Sequence, residues 1–210
     1  MAFDLQQGAP MPGGPMSEEE YLYLDRSTPH ARYEYVDGVA RLMSGGSGEH
    51  DQISYNVRAA IGIHLQSGPC FARGSDMQVL VGTKSNGRRH YVYPNVTVSR
   101  DVSDRRRGNK LIESPRIVVE VLSPSTERDD RGPKLKAYKM CPSIQEILLI
   151  SQFAPHVEVY RRNGEDGATW SYSQYGPGES FLLESIDVPL TMDEIYRSIN
   201  FDEPLLEDEQ

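Results

Sequence analysis

A glutamate in the middle of an apolar strand carries the clearest chemical signal in this sequence. Residues 117–122 read Ile-Val-Val-Glu-Val-Leu, a nearly continuous apolar run that is typical of a strand covered on both faces. Because side chains alternate along a strand, Glu120 shares a face with Val118 and Leu122. An ionised carboxylate there costs several kcal/mol unless a lysine, an arginine or a metal ion compensates it. The alternative is a glutamate near the strand end that reaches solvent.

Lys134 is the second candidate, because it lies on the inward face of the helix that we predict to begin near Pro133. Proline is accepted in the first turn of a helix. Positions 134, 137, 138 and 141 share one face and read Lys, Ala, Tyr and Cys, which suits packing against the protein. Lys134 can therefore approach Glu120. The alternative is a lysine that only snorkels at the edge of the packed face.

Three further polar residues are weaker candidates when each is considered alone. Glu34 lies in an alternating strand just before a hairpin, where an exposed cross-strand position is the ordinary interpretation. His50 opens a helix that packs inward, and a histidine in a first turn is more often a capping or core residue than a ligand. Asn95 follows Pro94 at a break in a β-prone run, which alone indicates a bulge or the start of a strand.

The elements that would position these residues follow from local patterns. Ser17 and Glu20 have capping-box spacing, and Asp37-Gly38 is a strong hairpin turn signal. Residues 50–65 show helical periodicity, and a second hairpin is predicted around Asn163-Gly164. The other predicted elements are strands at 71–73, 77–81, 91–98 and 146–151 and a short helix at 191–194. Because strands and helices are mixed without strict alternation, we expect an α/β or α+β domain with a mixed sheet.

Composition limits the class of protein. The chain has 210 residues, which predicts one domain, and a formal net charge of -9. No stretch approaches the roughly 18 apolar residues of a membrane helix, so no membrane association is expected. The N-terminus lacks the basic start and apolar core of a secretory signal, and Cys70 and Cys141 make no disulfide framework. We therefore expect a cytoplasmic protein.

The negative charge is concentrated at the two ends. Residues 1–16 have the composition of a flexible arm, residues 17–199 of a single domain, and residues 200–210 of an acidic tail. By contrast, residues 84–110 carry a local charge of +6. A solvated loop is the common interpretation of such a run, and a phosphate-contacting patch is the sharper one. Its candidate nucleic-acid contacts are Arg88, Arg89, Arg105, Arg106 and Arg107.

Taken together, these segments resemble the Uma-two family of the restriction-endonuclease-like superfamily. The resemblance covers roughly residues 17–198. The strand that contains Glu120, followed by the helix that contains Lys134, is its most specific part. The matching segments are Tyr33-Glu34-Tyr35-Val36-Asp37-Gly38, Gly48-Glu49-His50, Tyr93-Pro94-Asn95-Val96, Val119-Glu120-Val121-Leu122-Ser123-Pro124-Ser125, and Asp130, Lys134 and Tyr138 at four-residue spacing.

The resemblance implies an α/β fold with a mixed sheet flanked by helices, to which the hairpin near the C-terminus is added. It implies a site in which Glu34, Asn95 and Glu120 lie on the metal side, Lys134 is the catalytic lysine and His50 is auxiliary. Mg²⁺ or Mn²⁺ would be the cofactor, since both prefer oxygen ligands. The substrate would be DNA, hydrolysed at a phosphodiester bond, and a homodimer would suit a two-fold symmetric duplex.

Asn95 departs from the pattern, because the family has aspartate after the proline. The amide keeps an oxygen but loses the charge, so metal affinity should fall. Despite this departure, the resemblance makes a metal-dependent endonuclease the leading hypothesis. A nuclease-fold protein that binds nucleic acid without catalysis is the second, and an acid/base hydrolase that uses Glu34 and Glu120 on small substrates is the third.

Overall fold

A computed structural model describes residues 13–43, 45–82, 89–164 and 169–202. Its helices are few and mostly short. The longest is α2, and α3 and α4 are joined by a π-helical turn at Asp130–Lys134. The bounds of the helices are α1 Glu18–Ser27, α2 Gly48–His64, α3 Glu127–Asp129, α4 Leu135–Met140 and α5 Met192–Ile195, with a 3-10 turn at Ser103–Arg105.

The strands form two mixed sheets and one separate hairpin. The five-stranded sheet has the order β2-β1-β5-β4-β7, and the six-stranded sheet has the order β11-β10-β9-β8-β6-β3. The strands are β1 Tyr33–Val36, β2 Val39–Leu42, β3 Phe71–Gly74, β4 Gln78–Gly82, β5 Arg89–Val92, β6 Val96–Ser99, β7 Leu111–Ile112, β8 Pro115–Leu122, β9 Glu146–Ser151, β10 Val157–Asn163, β11 Thr169–Tyr175, β12 Ser180–Leu183 and β13 Val188–Thr191.

Strand β8 lies inside the six-stranded sheet and is covered on both faces, as its apolar sequence predicts. It pairs in parallel with β9 and antiparallel with β6. Val119 and Val121 pack on the side of α2 and α5, whereas Val118 and Leu122 pack on the side of α4 and the five-stranded sheet. Glu120 therefore faces the space between the two sheets. The predicted mixed sheet flanked by helices is confirmed, and it is divided into two sheets.

The division falls at Pro94, inside the run that the sequence predicts as one interrupted strand. β5 ends at Val92 in the five-stranded sheet, and β6 begins at Val96 in the six-stranded sheet. Proline has no N–H to donate to a ladder, so pairing stops here and the chain can change sheets. As a result, Tyr93, Pro94 and Asn95 lie at the junction between the sheets.

The predicted hairpins are present, and a further one was missed. Asp37 and Gly38 have φ values of 51° and 83°, as a two-residue turn between β1 and β2 requires. β10 and β11 pair antiparallel around the predicted turn at Asn163-Gly164. The β12–β13 hairpin was not predicted. Its alternate residues Phe181, Leu183, Val188 and Leu190 are buried in the same core cluster as α2.

Both tails include residues that contact the domain. Gly13 N–H donates to the Ala40 carbonyl, and Met16 is buried. The segment assigned to a flexible arm therefore ends in residues that pack on the first hairpin. At the other end, Phe201 packs edge-on against Tyr196. Within the described ranges, no helix combines the length and the apolar character needed to cross a membrane.

Candidate active site

Lys134 lies at the centre of three carboxylates. Its Nζ atom is 2.7 Å from Glu120 Oε1, 3.0 Å from Glu34 Oε1 and 2.9 Å from Asp130 Oδ1. The residue is 5% exposed, Glu120 is 3% exposed and Asp130 is 2% exposed. Charges this deeply buried need partners, and here each carboxylate has the same ammonium group as its counter-ion. We call Lys134, Glu34, Glu120 and Asp130 the lysine cluster.

The members of the lysine cluster come from three parts of the fold. Glu34 is in β1 of the five-stranded sheet, and its Oε1 accepts a hydrogen bond from the Tyr93 N–H at 2.9 Å. Glu120 is in β8 of the six-stranded sheet. Lys134 and Asp130 are the two ends of the π turn that precedes α4. The cluster therefore joins the two sheets at the point where they separate.

The face of α4 follows the sequence prediction. Ala137, Tyr138 and Cys141 are buried together with Lys134, and the Tyr138 hydroxyl donates a hydrogen bond to Glu120 Oε1. The turn before α4 differs from the prediction of a regular helix start. It is a π turn in which Gly132 has φ -101° and ψ -106°. The backbone is therefore kinked at Gly132, between Asp130 and Lys134.

The buried charges shift each other's protonation. Burial raises the pKa of Glu120 to about 8, because the lowering effect of Lys134 does not fully offset the loss of water and the repulsion from Asp130 and Glu34. Burial alone would lower the pKa of Lys134, but Glu120, Glu34 and Asp130 raise it well above its ordinary value. Lys134 is therefore charged at neutral pH, and burial favours the neutral form of Glu120 relative to that of an exposed glutamate.

Asp130 was missed as a site residue by the sequence analysis. Its Oδ1 atom is buried and lies 2.9 Å from Lys134 Nζ. The ammonium group is therefore the charged partner of this buried oxygen. The signal in the sequence was the four-residue spacing between Asp130 and Lys134, which places both on one face of a helix.

Asn95 is close to the lysine cluster, but its oxygen already has a partner. Asn95 Oδ1 accepts a hydrogen bond from the Val121 N–H at 2.8 Å. The amide nitrogen therefore faces His50, whose Nε2 is 3.2 Å away and must act as the acceptor. Burial lowers the pKa of His50, so a neutral ring fits this arrangement. Asn95 thus contacts His50 through its nitrogen and Val121 through its oxygen, and its metal-side role stays a prediction.

The lysine cluster opens into a cleft of about 810 Å³. The cleft runs between the β1–β2 hairpin, the start of α2 and the segment after β8. The cleft is also lined by two acidic residues that lie outside the lysine cluster, Asp51 and Asp129. Every predicted catalytic residue lines this cleft: Glu34, His50, Asn95, Glu120 and Lys134. The presence of Lys134 between Glu34 and Glu120 does not fit the bare carboxyl pair of an acid/base hydrolase.

The described members of the predicted nucleic-acid contacts do not line this cleft. Arg89 Nη1 pairs with Glu18 Oε1 at 3.3 Å. Arg105 lines a second cleft, and Arg106 and Arg107 are exposed in the turn that follows. Arg88 lies outside the described residues. Among the described arginines of the prediction, Arg105 alone lines either of these two clefts.

The carboxylate oxygens of the lysine cluster suit a hard cation, both as ligand atoms and because of their negative charge. Three carboxylates outnumber one ammonium, and Mg²⁺ and Mn²⁺ prefer carboxylate oxygens. In the described part of the chain, however, no group of three or more His, Cys, Asp or Glu side chains is arranged to hold a metal ion. Lys134 Nζ takes the position between the carboxylates. An ion at these carboxylates would lie beside the Lys134 ammonium group and compete with it for their oxygens.

The family can now be established. Residues 18–193 match the family model Uma2, which is described as "Putative restriction endonuclease". The chain belongs to the Uma2 family. This Uma2 protein is also 35% identical over 193 residues to the uncharacterized protein slr1290 of Synechocystis sp. (strain ATCC 27184 / PCC 6803 / Kazusa), a match that covers 92% of this chain and 96% of the relative.

Two further proteins are similar to this chain. The uncharacterized protein sll1609 of the same Synechocystis strain is 25% identical over 151 residues, covering 71% of this chain and 82% of the relative. A crystal structure from Anabaena variabilis ATCC 29413, titled as a "putative nuclease belonging to DUF820", superposes with a TM-score of 0.68. It covers 87% of this chain and 98% of that chain at 18% identity, and it shows that the nuclease-like fold is shared.

Proposed function

We propose that this Uma2 protein is a metal-dependent endonuclease that hydrolyses phosphodiester bonds in DNA. The observation that carries the proposal is the lysine cluster, in which Lys134 Nζ lies within 3.0 Å of Glu34, Glu120 and Asp130 at the wall of an open cleft. A lysine beside buried carboxylates can stabilise both an attacking water and the extra negative charge of a phosphoryl transition state. The homodimer and the cytoplasmic location stay predictions.

Glu34, Glu120 and Asp130 would hold Mg²⁺ or Mn²⁺, which when bound polarises the phosphodiester and lowers the pKa of a bound water. Lys134, freed from one carboxylate, would direct its ammonium group to the cleft and offset charge on the phosphate oxygens. Tyr138, through its hydroxyl, fixes the orientation of Glu120. His50, held by Asn95, would donate no proton while neutral and would serve to position the substrate.

A cleavage assay tests the proposal directly. Supercoiled plasmid and circular single-stranded DNA are incubated with the protein and Mg²⁺, Mn²⁺ or EDTA. We expect cutting that requires the metal, is lost in Glu120→Gln and persists in Lys136→Ala, since Lys136 is exposed on the same helix. Absence of metal-dependent cutting, or equal cutting by Glu120→Gln, would overturn the proposal.

A second function is favoured by the environment of Asn95. Its oxygen already accepts the Val121 N–H, so the position that carries an acid in the family pattern supplies no charge and only one remaining lone pair. This supports a nuclease-fold protein that binds nucleic acid without cutting it. Under this alternative the parent protein does not cut DNA with either metal.

Asn95→Asp separates the two functions. A carboxylate at 95 keeps one oxygen for Val121 and adds negative charge beside His50, so Mn²⁺ should bind more tightly and any cutting should increase. Calorimetric titration with Mn²⁺ measures the first effect. Unchanged Mn²⁺ affinity would show that residue 95 does not act at the metal side.

A further inference from the structure

A second cleft carries three arginines and no acid. It has a volume of about 400 Å³ and is formed by the later turns of α2, by β3 and by the 3-10 turn. Its cationic lining residues are Arg58, Arg73 and Arg105, and none of its lining residues is Asp or Glu. No ion pair joins any of these three arginines to a carboxylate within the described ranges. We call this feature the arginine cleft.

The three guanidinium groups are held together by the fold. The Cζ atoms of Arg73 and Arg105 lie 4.7 Å and 5.6 Å from the ring centroid of Phe71. Arg73 Nη1 also donates to the Ala72 carbonyl at 3.3 Å. Stacking on an aromatic ring orients an arginine and leaves its N–H groups available to an anion. Two arginines on one ring therefore present donors from the same small surface.

Arg58 is brought to the same place by a glycine. A Cβ atom built on Gly74 would lie 2.6 Å from Arg58 Nη1, so the guanidinium group occupies the space that a side chain at 74 would fill. Like charges that converge in this way repel each other unless an anion lies between them. The described residues supply no such anion to the arginine cleft, so an anionic ligand there would be attracted by all three guanidinium groups.

We propose that Arg58, Arg73 and Arg105 bind a phosphate group of the DNA backbone. Arginine presents a rigid fork of donors that matches phosphate oxygens. A site of three arginines without acids recognises phosphate charge and not a base sequence. The inference rests on the proposed function for the identity of the ligand, since that function requires DNA at the neighbouring cleft.

The arginine cleft is adjacent to the candidate active site along two elements. Helix α2 presents His50 and Ser54 to the active-site cleft and Arg58 to the arginine cleft. On the other side, Gly74 lines the arginine cleft and Ser75 lines the active-site cleft. The step from His50 to Arg58 is about 12 Å along a helix. This equals the axial rise of roughly three to four nucleotides of a DNA strand.

One duplex can therefore reach both clefts. The arginine cleft would hold a phosphate a few nucleotides from the phosphodiester bond that is cut at the lysine cluster. It would fix the register of the strand without contacting the reacting atoms. Arg58, Arg73 and Arg105 are accordingly positioning residues, and their loss should weaken binding more than it slows cutting of bound DNA.

The test measures DNA binding in EDTA, so that cutting cannot interfere. Anisotropy of a fluorescein-labelled duplex gives the dissociation constant of the full chain at several salt concentrations. We expect Arg58→Ala, Arg73→Ala and Arg105→Ala each to weaken binding by at least about threefold and to reduce the slope of log K against log salt by about 1. Arg26→Ala and Arg197→Ala change the net charge equally but lie outside both clefts, and they should bind as the parent does.

The outcomes separate this inference from the proposed function. If the three variants bind duplex as tightly as the controls do, the inference is overturned whatever the plasmid assay shows. If binding is lost in them while the parent fails to cut plasmid, the arginine cleft stands and the endonuclease proposal falls. Thermal stabilisation by inorganic phosphate that needs these arginines, without duplex binding by the parent, would assign the cleft to a small phosphate compound and overturn the DNA assignment. Unchanged circular dichroism checks that the exposed substitutions leave the fold intact.

Discussion

Lys134 Nζ lies 2.7 Å from Glu120 Oε1, and both side chains are more than nine-tenths buried. The lysine comes from a π turn and the glutamate from an interior strand of the six-stranded sheet. Removing one member of a buried ion pair leaves the other without compensation, which costs more than the intact pair contributes. The site therefore contributes to the stability of the protein as well as to its chemistry.

Substitution of Lys134 should destabilise the fold and expose the carboxylates to a metal. Lys134→Met removes the only ammonium group of the lysine cluster, so we expect the free energy of unfolding to fall by about 3–5 kcal/mol in EDTA. Since Nζ no longer lies between the carboxylates, Mn²⁺ should then raise the melting temperature of the variant more than that of the parent. Urea unfolding and thermal unfolding, each with and without Mn²⁺, measure the two effects.

Lys136→Met is the matched control for that variant. Lys136 is two residues along the same helical segment and is exposed. It should unfold within about 0.5 kcal/mol of the parent, as surface substitutions usually do. Equal stability of Lys134→Met and Lys136→Met would contradict the central position of Lys134.

The pH dependence of stability should reveal the raised pKa of Glu120. The folded protein keeps the Glu120 proton up to a pH of about 8, whereas an unfolded chain loses it near the ordinary value of 4.5. Between these values the unfolded state binds fewer protons, so this residue lowers the stability of the fold as pH rises. The stability that it contributes is complete below pH 4.5 and is lost as the pH approaches 8.

Glu120→Gln removes this titration while keeping the shape of the side chain. We expect the variant to gain stability relative to the parent as pH increases from 5 to 8, by at most about 1.4 kcal/mol per pH unit. Urea unfolding across this pH range in EDTA provides the comparison. A constant difference between the two proteins over the range would show that Glu120 is ionised throughout.

The position of His50 should depend on a neighbouring glycine. A Cβ atom on Gly46 would collide with Nδ1 of His50 and would lie 2.9 Å from its Cγ. Gly46→Ala should therefore displace the ring, break its contact with Asn95 and lower any cutting activity without changing a charge. The imidazole signals in an NMR titration would report the change, because burial lowers the pKa of His50 in the parent.

Gly45→Ala provides the control for the histidine prediction. A Cβ atom at Gly45 meets nothing within 4 Å, although the residue is the direct chain neighbour of Gly46. The control should retain the His50 signals and the activity of the parent. A shift of the same size in both variants would show that the loop as a whole, and not the contact with His50, determines the position of the ring.

The sequence predicted the pair at the centre of the site because two simple periodicities apply there. Alternation along β8 placed Glu120 on a buried face, and the helical repeat placed Lys134 on the inward face of α4. Asp130 was missed although its four-residue spacing from Lys134 was visible, because the kink at Gly132 cannot be read from a pattern of residue types. The role of Asn95 was also not predictable, because the partner of its oxygen is the backbone N–H of a residue distant in the chain.

Long-range arrangement limited the other predictions. The division into two sheets depends on how strands pair across the chain, and residue patterns predict single strands much better than their partners. The β12–β13 hairpin was missed because its turn lacks a strong Asn-Gly or Asp-Gly signal. Likewise, the basic run around Arg105 gave no indication of Arg58 and Arg73, which line the same cleft from other elements.

Because the chain changes sheets between β5 and β6, the candidate site lies between two sheets that are hydrogen-bonded separately. Glu34 belongs to one sheet and Glu120 to the other, and Lys134 is the ion that ties them. A cation or a phosphate that draws Lys134 away from either glutamate therefore removes one of the two ion pairs that join the sheets. Glu34 Oε1 also accepts the Tyr93 N–H, so hydrogen exchange at the Tyr93 amide should change when a ligand binds in the cleft, without any label on the ligand.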